Sequence, residues 1–316
     1  MARGISLHIG VNKVDPSGYP LDPTYGSPAY AVVAKGYYPV RFSEGFNIGW
    51  EGPLASCEFD AEDMFRLAKR QNFRAATLKT RQATTANVKK KIQSAAKQLS
   101  AGDMFFLTYA GHGAQVDDLN MDEEDKLDET WCLYDRMLLD DELQALYAKF
   151  AKGVRILVVA DSCHSGSATR SGEPAEDKVY QSLGIRALPL RAAKAIYEGN
   201  KEKYDRIQRK CRKRPKPKAS RILISACQDH QLAGGGARNG QFTAALKDAW
   251  EDGKFDGDYR DLARKIKKAL KLNYEGEVKR AAGEWEANKQ DPNFVTVQGS
   301  SGEELRRFVR QRPFSI

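Results

Sequence analysis

The sequence predicts an α/β protein with a mostly parallel central sheet and helices on both faces. Short apolar runs rich in β-branched and aromatic residues alternate with amphipathic helical stretches along the chain. Such alternation is typical of a parallel sheet, because each parallel strand needs a crossover connection to the next one. No internal repeat is visible, and 316 residues suit one α/β unit with insertions.

The predicted elements follow one another in a regular order. The predicted strands are residues 5–11, 75–79, 104–109, 155–160, 221–226 and 294–297, and the predicted helices are residues 60–70, 85–99, 140–152, 241–251 and 259–272. A helical pattern also covers residues 190–212. Residues 12–53 are rich in glycine, proline and tyrosine and form a long insertion, which we expect to lie along a cleft.

Two short motifs follow the third and fourth predicted strands. They are Tyr109-Ala110-Gly111-His112-Gly113 and Asp161-Ser162-Cys163-His164-Ser165-Gly166. A strand, a helix and a second strand form a parallel pair with a right-handed crossover, so both motifs emerge at the carboxyl edge of the sheet, where open α/β sheets bind ligands. We therefore expect His112 and Cys163 to meet. His164 would project to the opposite side and is expected to be structural.

A histidine beside a cysteine predicts nucleophilic catalysis. The imidazole of His112 can take the thiol proton of Cys163 and leave a reactive thiolate. Gly111 and Gly113 let the backbone turn beside the imidazole, and the amides of Gly113 and Cys163 could form an oxyanion hole. Either reactive residue alone is more often structural, as a core cysteine or a hydrogen-bonded histidine, but the pair with its glycines favours catalysis.

Through these motifs the chain resembles the caspase-like cysteine peptidases, and among them the metacaspase and bacterial orthocaspase branch. The histidine precedes the cysteine by 51 positions, a spacing known from caspases, while residues 161–166 have the metacaspase form. Residues 5–10, 224–228 and 240–246 resemble the family's first strand and its small-subunit strand and helix. The resemblance implies a caspase-like fold with a large-subunit-like portion at residues 1–185, a basic insertion or linker at 186–221 and a small-subunit-like portion at 222–316.

The resemblance also implies a pocket for a basic substrate side chain. In metacaspases the residues that match Asp161, Asp60 and Cys57 accept arginine or lysine, and carboxylates suit a guanidinium. Ala110 stands where relatives often have serine, so the sequence leaves the choice between arginine and lysine open. Without the resemblance, Asp60 could merely favour a helix N-terminus and Asp161 could accept backbone amides.

An acidic stretch raises the question of calcium. Residues 117–142 hold twelve acidic residues against two basic ones, a local charge of −12 + 2 = −10. Many metacaspases need calcium, and the resemblance implies candidate ligands at Asp128, Asp140 and Asp141, with Arg170 in place of a fourth. No cofactor is required for cysteine catalysis, and calcium dependence is left open. The alternative is a solvated acidic loop in which Asp140 caps the following helix.

The net charge of +9 comes from the basic insertion. Residues 186–221 hold fourteen basic and three acidic residues, a charge of +11, so the rest of the chain sums to 9 − 11 = −2. A solvated linker, a self-processing site within residues 165–221 and a patch for nucleic acid or acidic membrane are the alternatives. Nucleic acid is the least expected partner, because only Tyr197 and Tyr204 could stack on bases there.

The cysteine pattern and the apolar pattern indicate the cellular compartment in which we expect the protein. Five cysteines without regular spacing predict neither a disulfide framework nor a metal site, and no signal core or membrane span is visible. We expect a cytoplasmic monomer without a membrane partner. Our hypothesis is a cysteine endopeptidase that cleaves protein or peptide substrates after arginine or lysine and possesses self-processing activity. The alternative is a non-catalytic caspase-like scaffold or binding module.

Overall fold

The computed structural model describes residues 2–21, 49–117, 127–162, 186–211, 215–226, 238–280, 292–297 and 299–316. A six-stranded sheet forms its centre, in the order β2-β1-β3-β7-β8-β9. The strands are β1 (Gly4–Gly10), β2 (Arg74–Lys79), β3 (Met104–Ala110), β7 (Arg155–Asp161), β8 (Ser220–Ser225) and β9 (Asn293–Val297). Each of the six strands predicted from the sequence is therefore found, within one residue at either end.

All neighbouring strands of this sheet are parallel except β8 and β9, which are antiparallel. The prediction of a mostly parallel sheet is confirmed. In the register of β3 and β7, Ala110 lies opposite Asp161, so both strands end at the same level. The segments that follow these two strands consequently begin side by side at the carboxyl edge.

Helices cover both faces of the sheet. They are α1 (Cys57–Arg70), α2 (Thr85–Gln98), α3 (Asp140–Tyr147), α4 (Leu190–Gly199), α5 (Lys201–Cys211), α6 (Gln241–Trp250), α7 (Tyr259–Arg280) and α8 (Gly302–Val309), with short 3-10 turns at Pro16–Gly18, Thr80–Gln82 and Glu251–Gly253. Side chains of β3 alternate between two cores: Phe105 and Leu107 pack with residues of α2 to α5, and Phe106 packs with residues of α1, α6, α7 and α8.

A second sheet was not predicted from the sequence. It contains three antiparallel strands, β4 (Gly113–Asp117), β5 (Leu127–Cys132) and β6 (Met137–Leu139), and it lies directly after the histidine motif. Helix α8 was missed as well, and the helical pattern of residues 190–212 proves to be two helices, α4 and α5. Within the described ranges, no helix combines the length and the apolar character needed to cross a membrane.

Candidate active site

The backbone of His112 is fixed between the two sheets. Its carbonyl oxygen accepts hydrogen bonds from the Tyr109 hydroxyl at 2.7 Å and from the Cys132 amide at 2.9 Å. A Cβ atom at Gly111 would lie 2.5 Å from the Tyr109 hydroxyl. Gly111 is therefore needed because a tyrosine side chain passes close to it, and not for the tight turn that the sequence suggested.

The imidazole of His112 is buried and oriented by the segment that precedes α1. Its Nε2 lies 2.9 Å from the Gly52 carbonyl, and the Trp50 ring stands edge-on with its centroid 4.8 Å from that of the imidazole. Since a carbonyl can only accept, Nε2 carries the proton. Nδ1 then keeps its lone pair, and it makes no hydrogen bond to any residue that the structure describes.

Burial controls the protonation of this imidazole. Desolvation lowers the pKa of His112 to about 4, although the hydrogen bond to Gly52 and the nearby backbone of Ala187 act in the opposite direction. At neutral pH the ring is therefore uncharged and its Nδ1 is available as a base. Gly52 has a φ of +51°, and a Cβ atom there would collide with the Trp50 ring, so this support requires glycine.

Cys163 lies outside the described residues, which end at Ser162 on this side of the sheet. The meeting of His112 and Cys163 therefore stays a prediction, as does the Cys163 amide in the oxyanion hole. The register supports it, because Ala110 pairs with Asp161 and each lies two positions before one of the two reactive residues. The predicted structural role of His164 and the Arg170 position also lie outside the described residues.

The predicted pocket residues surround a cation that was not predicted from the sequence, the guanidinium of Arg186. This guanidinium forms ion pairs with Asp60 at 2.5 Å and with Asp161 at 3.0 Å. It also donates to the Ser56 hydroxyl at 2.8 Å and to the Asp161 carbonyl at 3.1 Å. The Arg186 side chain is 0% exposed, and the two carboxylate side chains are 1% and 2% exposed. Asp60 and Asp161 thus form a closed site that holds a guanidinium.

The beginning of α6 holds both carboxylates in place. Asp60 accepts hydrogen bonds from the Gly240 amide at 3.0 Å and from the Asn239 side chain at 2.9 Å. Asp161 accepts from the amide and the hydroxyl of Thr243 at 3.1 and 2.6 Å. Residues 240–246 resemble the family's small-subunit helix, but their part in the pocket was not predicted from the sequence.

Cys57 and Ala110 contribute less to the polarity of this site. Cys57 is buried, and burial raises the pKa of its thiol to about 12, so it forms a neutral part of the wall. Ala110 is also buried and offers no polar side-chain atom. The hydroxyl group that the guanidinium contacts comes from Ser56, the residue before α1.

The electrostatics of the pocket are those of one cation between two acids. Burial raises the pKa of Asp161 to about 6, and Arg186 acts in the opposite direction. Burial by itself would lower the pKa of Arg186, but the neighbouring carboxylates, Asp161 foremost, hold it above its ordinary value. The guanidinium therefore stays charged, and removing it would leave two buried acids without a counter-charge.

The backbone of Arg186 reaches the position predicted for the oxyanion hole. The Gly113 amide donates to the Arg186 carbonyl at 3.0 Å, and the Leu188 amide donates to the Gly113 carbonyl at 2.8 Å. Residues 186–188 therefore run beside the start of β4 like a short parallel strand, with a bridge between Gly113 and Ala187. The oxyanion role of Gly113 stays a prediction, but its amide already binds a carbonyl oxygen.

Three further acidic side chains form a candidate calcium site. Asp128 on β5 and Asp140 and Asp141 at the start of α3 bring carboxylate oxygens within 4.8 Å of one another. An all-oxygen, partly buried donor set fits a hard divalent cation. The predicted capping role of Asp140 is wrong, because Leu139 is the N-cap and Asp140 already belongs to the helix.

The described part of the acidic stretch is not a solvated loop. Glu142 is 5% exposed, and its carboxylate pairs with Arg136 at 2.7 Å and with Lys89. Asp128 and Asp141 are buried as well. Several acids of this stretch are therefore part of the interior beside β5 and α3.

Similarity to known proteins extends over most of the chain. A family model described as Caspase domain matches residues 32–298. Metacaspase-1 of Kluyveromyces lactis is 28% identical over 236 residues, 63% of this chain and 54% of that protein, and Metacaspase-1 of Ajellomyces capsulatus is 39% identical over 119 residues, 36% and 32% of the two chains. The crystal structure of protein GSU0716 from Geobacter sulfurreducens has a TM-score of 0.72 at 40% identity and covers 99% of this chain and 98% of that one. The chain spans about half the length of the first curated relatives it matches.

Proposed function

This chain belongs to the caspase-domain family, and we propose that it is a cysteine endopeptidase that cleaves peptide bonds after arginine or lysine. Family membership and the sheet described above make the fold caspase-like, as the sequence predicted. His112 supports the proposal as a neutral, oriented base at the carboxyl edge of that sheet. Cys163 and His112 would form the catalytic dyad, and the acidic pocket would select a basic substrate side chain.

The position of Arg186 is the observation that carries the basic specificity. A substrate residue on the acyl side of the scissile bond must place its side chain in the specificity pocket and its carbonyl oxygen on the oxyanion donor. Arg186 does both, since its guanidinium lies between Asp60 and Asp161 and its carbonyl accepts from the Gly113 amide. An arginine of the chain itself thus occupies the site as a substrate residue would.

The chemical steps follow from these positions. The Cys163 thiol gives its proton to Nδ1 of His112, and the sulfur attacks the carbonyl carbon. The carbon–nitrogen bond breaks, the leaving amine takes the proton from His112, and an acyl-enzyme thioester remains. Water then hydrolyses the thioester with His112 as the base, and the thiol is restored. The Gly113 amide stabilises the oxyanion in both stages, a contribution of about 10²–10³ in rate for a single donor.

We further propose that the chain cleaves itself at the bond between Arg186 and Ala187. The side that follows this bond is anchored: Leu188 is fully buried, donates to Gly113 and leads into α4. Cleavage would turn Arg186 into a chain end, and that end could then leave the pocket. The pocket would become free for a substrate while residues 187–188 keep their place beside β4.

Calcium, when bound, would act only as a structural ligand. Asp128, Asp140 and Asp141 would supply oxygen ligands that join β5 to α3. When bound, the ion would supply charge neutralisation for these clustered acids. The steps at Cys163 and His112 involve no metal.

The first test is hydrolysis of paired fluorogenic peptides that end in arginine or aspartate, by the wild type and by Cys163→Ala. We expect turnover of the arginine peptide only, abolished by the substitution, because the pocket is acidic and the sulfur is the nucleophile. Each assay is run with calcium and with a chelator, and loss of activity with the chelator would show that the ion is needed. Cleavage of the aspartate peptide would refute the pocket assignment. Silence of the wild type toward both peptides would indicate either a latent chain whose pocket Arg186 still fills or a non-catalytic scaffold.

A further inference from the structure

We infer that the pocket selects arginine over lysine, and that Ser56 and the beginning of α6 determine this choice. The inference rests on the proposed function for its kinetic consequence, but its geometric basis is the way in which this chain holds the guanidinium of Arg186. From the sequence alone, the choice between a substrate arginine and a substrate lysine stayed open.

Two separate nitrogen atoms of the guanidinium are bound, each by its own acceptors. Nη2 contacts the Ser56 hydroxyl at 2.8 Å and Asp60 at 2.5 Å. Nη1 contacts the carboxylate of Asp161 at 3.0 Å and its carbonyl at 3.1 Å. A lysine carries one nitrogen, so it could pair with one of these carboxylates while the other would remain buried without a cation.

The acceptors are not free to follow a smaller cation. Asp60 is tied to the Gly240 amide and the Asn239 side chain, and Asp161 is tied to Thr243 through both its amide and its hydroxyl. These bonds fix the two carboxylates at the separation that a planar guanidinium spans. Thr243 is therefore a positioning residue, because it acts on the bound cation through Asp161.

Gly240 closes the site around the guanidinium. A Cβ atom at this position would lie 2.5 Å from Nη2 of Arg186 and 2.6 Å from its Cζ. The φ of Gly240 is −59°, which any residue can adopt, so the glycine is required by space and not by backbone conformation. The pocket is thus fitted to the outline of the guanidinium as well as to its charge.

The kinetic test compares peptides that differ only in arginine or lysine before the cleaved bond. We expect kcat/KM of the wild type to favour arginine by about 10-fold or more, as the loss of a buried hydrogen bond to a charged group implies. Ser56→Ala should lower the value for the arginine peptide about 10-fold and that for the lysine peptide much less. Equal loss with both peptides, or a wild type without preference, would overturn the inference.

Thr243→Val tests the positioning role. It should raise KM for the arginine peptide, leave kcat nearly unchanged and reduce the preference for arginine. Thr296→Val is the matched control, because Thr296 is exposed on β9 and the substitution should change neither value. A fall in kcat without a change in the preference would contradict the role assigned to Thr243.

A binding test makes failure of the inference distinguishable from failure of the proposed function. The double variant Cys163→Ala, Arg186→Ala leaves the pocket vacant, and calorimetry should show tighter binding of propylguanidinium than of butylammonium by about 10-fold. That result would support the pocket even if no peptide were hydrolysed. Cleavage of arginine and lysine peptides at equal rates would refute the selection and leave the peptidase standing.

A stability measurement covers the case in which that double variant does not fold. Arg186→Lys in the full chain should melt well below the wild type, because the ammonium cannot reach both Asp60 and Asp161. Equal melting temperatures would show that the site accepts an ammonium as readily as a guanidinium, and would refute the inference.

Discussion

Arg186 affects the stability of the fold more than an exposed arginine would, because its side chain is buried. Its guanidinium neutralises Asp60 and Asp161 where water does not reach. Pairs of this kind contribute little net stability when they are intact, but breaking one by removing a partner leaves an uncompensated charge. Arg186 therefore affects both the stability of the fold and whether the pocket is free for a substrate.

Arg186→Ala should lower the free energy of unfolding by about 3–5 kcal/mol, because two buried carboxylates lose their cation. Urea denaturation measures the effect. Arg209→Ala is the control: Arg209 is 66% exposed and lies 3.8 Å from Asp205, so its loss should change stability by less than about 0.5 kcal/mol. Equal stability of the wild type and Arg186→Ala would mean that the carboxylates are protonated or hydrated in the folded chain.

His112 should make stability depend on pH in a defined window. Its folded pKa of about 4 lies below the ordinary histidine value of 6.5, so the unfolded chain binds the proton more readily between these values. Its contribution is fully present above about pH 6.5 and is lost as the pH falls toward 4, a change on the order of 3 kcal/mol.

The measurement is the difference in unfolding free energy between the wild type and His112→Asn, followed from pH 7 to pH 4. His8, whose pKa burial lowers to about 3, has the same sign but is present in both proteins and cancels. A difference that does not change with pH would show that the folded chain protonates His112 as easily as the unfolded one.

At the scale of elements, β4 connects His112 to the segment that fills the pocket. It begins at Gly113, and residues 186–188 pair with that first residue. The position of the bond after Arg186 is consequently set by the same strand that fixes the backbone of His112. On the other side, the N-terminal turn of α6 holds the carboxylates of α1 and β7.

Incubation of the purified chain should therefore give two fragments, residues 1–186 and 187–316. Mass spectrometry identifies them, and the new amino terminus should be Ala187. Cys163→Ala should remain whole, and Arg186→Ala should lose this cut in particular. A cut elsewhere in the basic insertion, with the Arg186 bond intact, would contradict the assignment.

At the scale of the whole molecule, the sequence predicts what depends on local apolar pattern. The six central strands are apolar runs, and the register of β3 with β7 brings Ala110 beside Asp161 as the motifs implied. The second sheet escaped prediction because the acids of β5 resemble a solvated loop, whereas Asp128 is buried. Pairing with distant residues, which local sequence does not encode, makes those acids part of the interior.

The occupant of the pocket escaped prediction for a similar reason. Arg186 was counted among the fourteen basic residues of the insertion, and charge alone does not separate a buried arginine from solvated ones. A local signal existed, since Leu183-Gly184-Ile185-Arg186-Ala187-Leu188 is an otherwise apolar run. An isolated charge in such a run indicates a buried partner, but which partner depends on the tertiary fold.

The strand order places β7 and β8 next to each other, although residues 162–219 separate them in sequence. A cut after Arg186 would place β7 in one fragment and β8 in the other. These two parallel strands are joined by backbone hydrogen bonds along their length. The two fragments of the nicked chain would thus still share the central sheet and both of its cores. The two fragments are in effect complementary halves, and each would expose a long, unpaired apolar strand edge if it left the other.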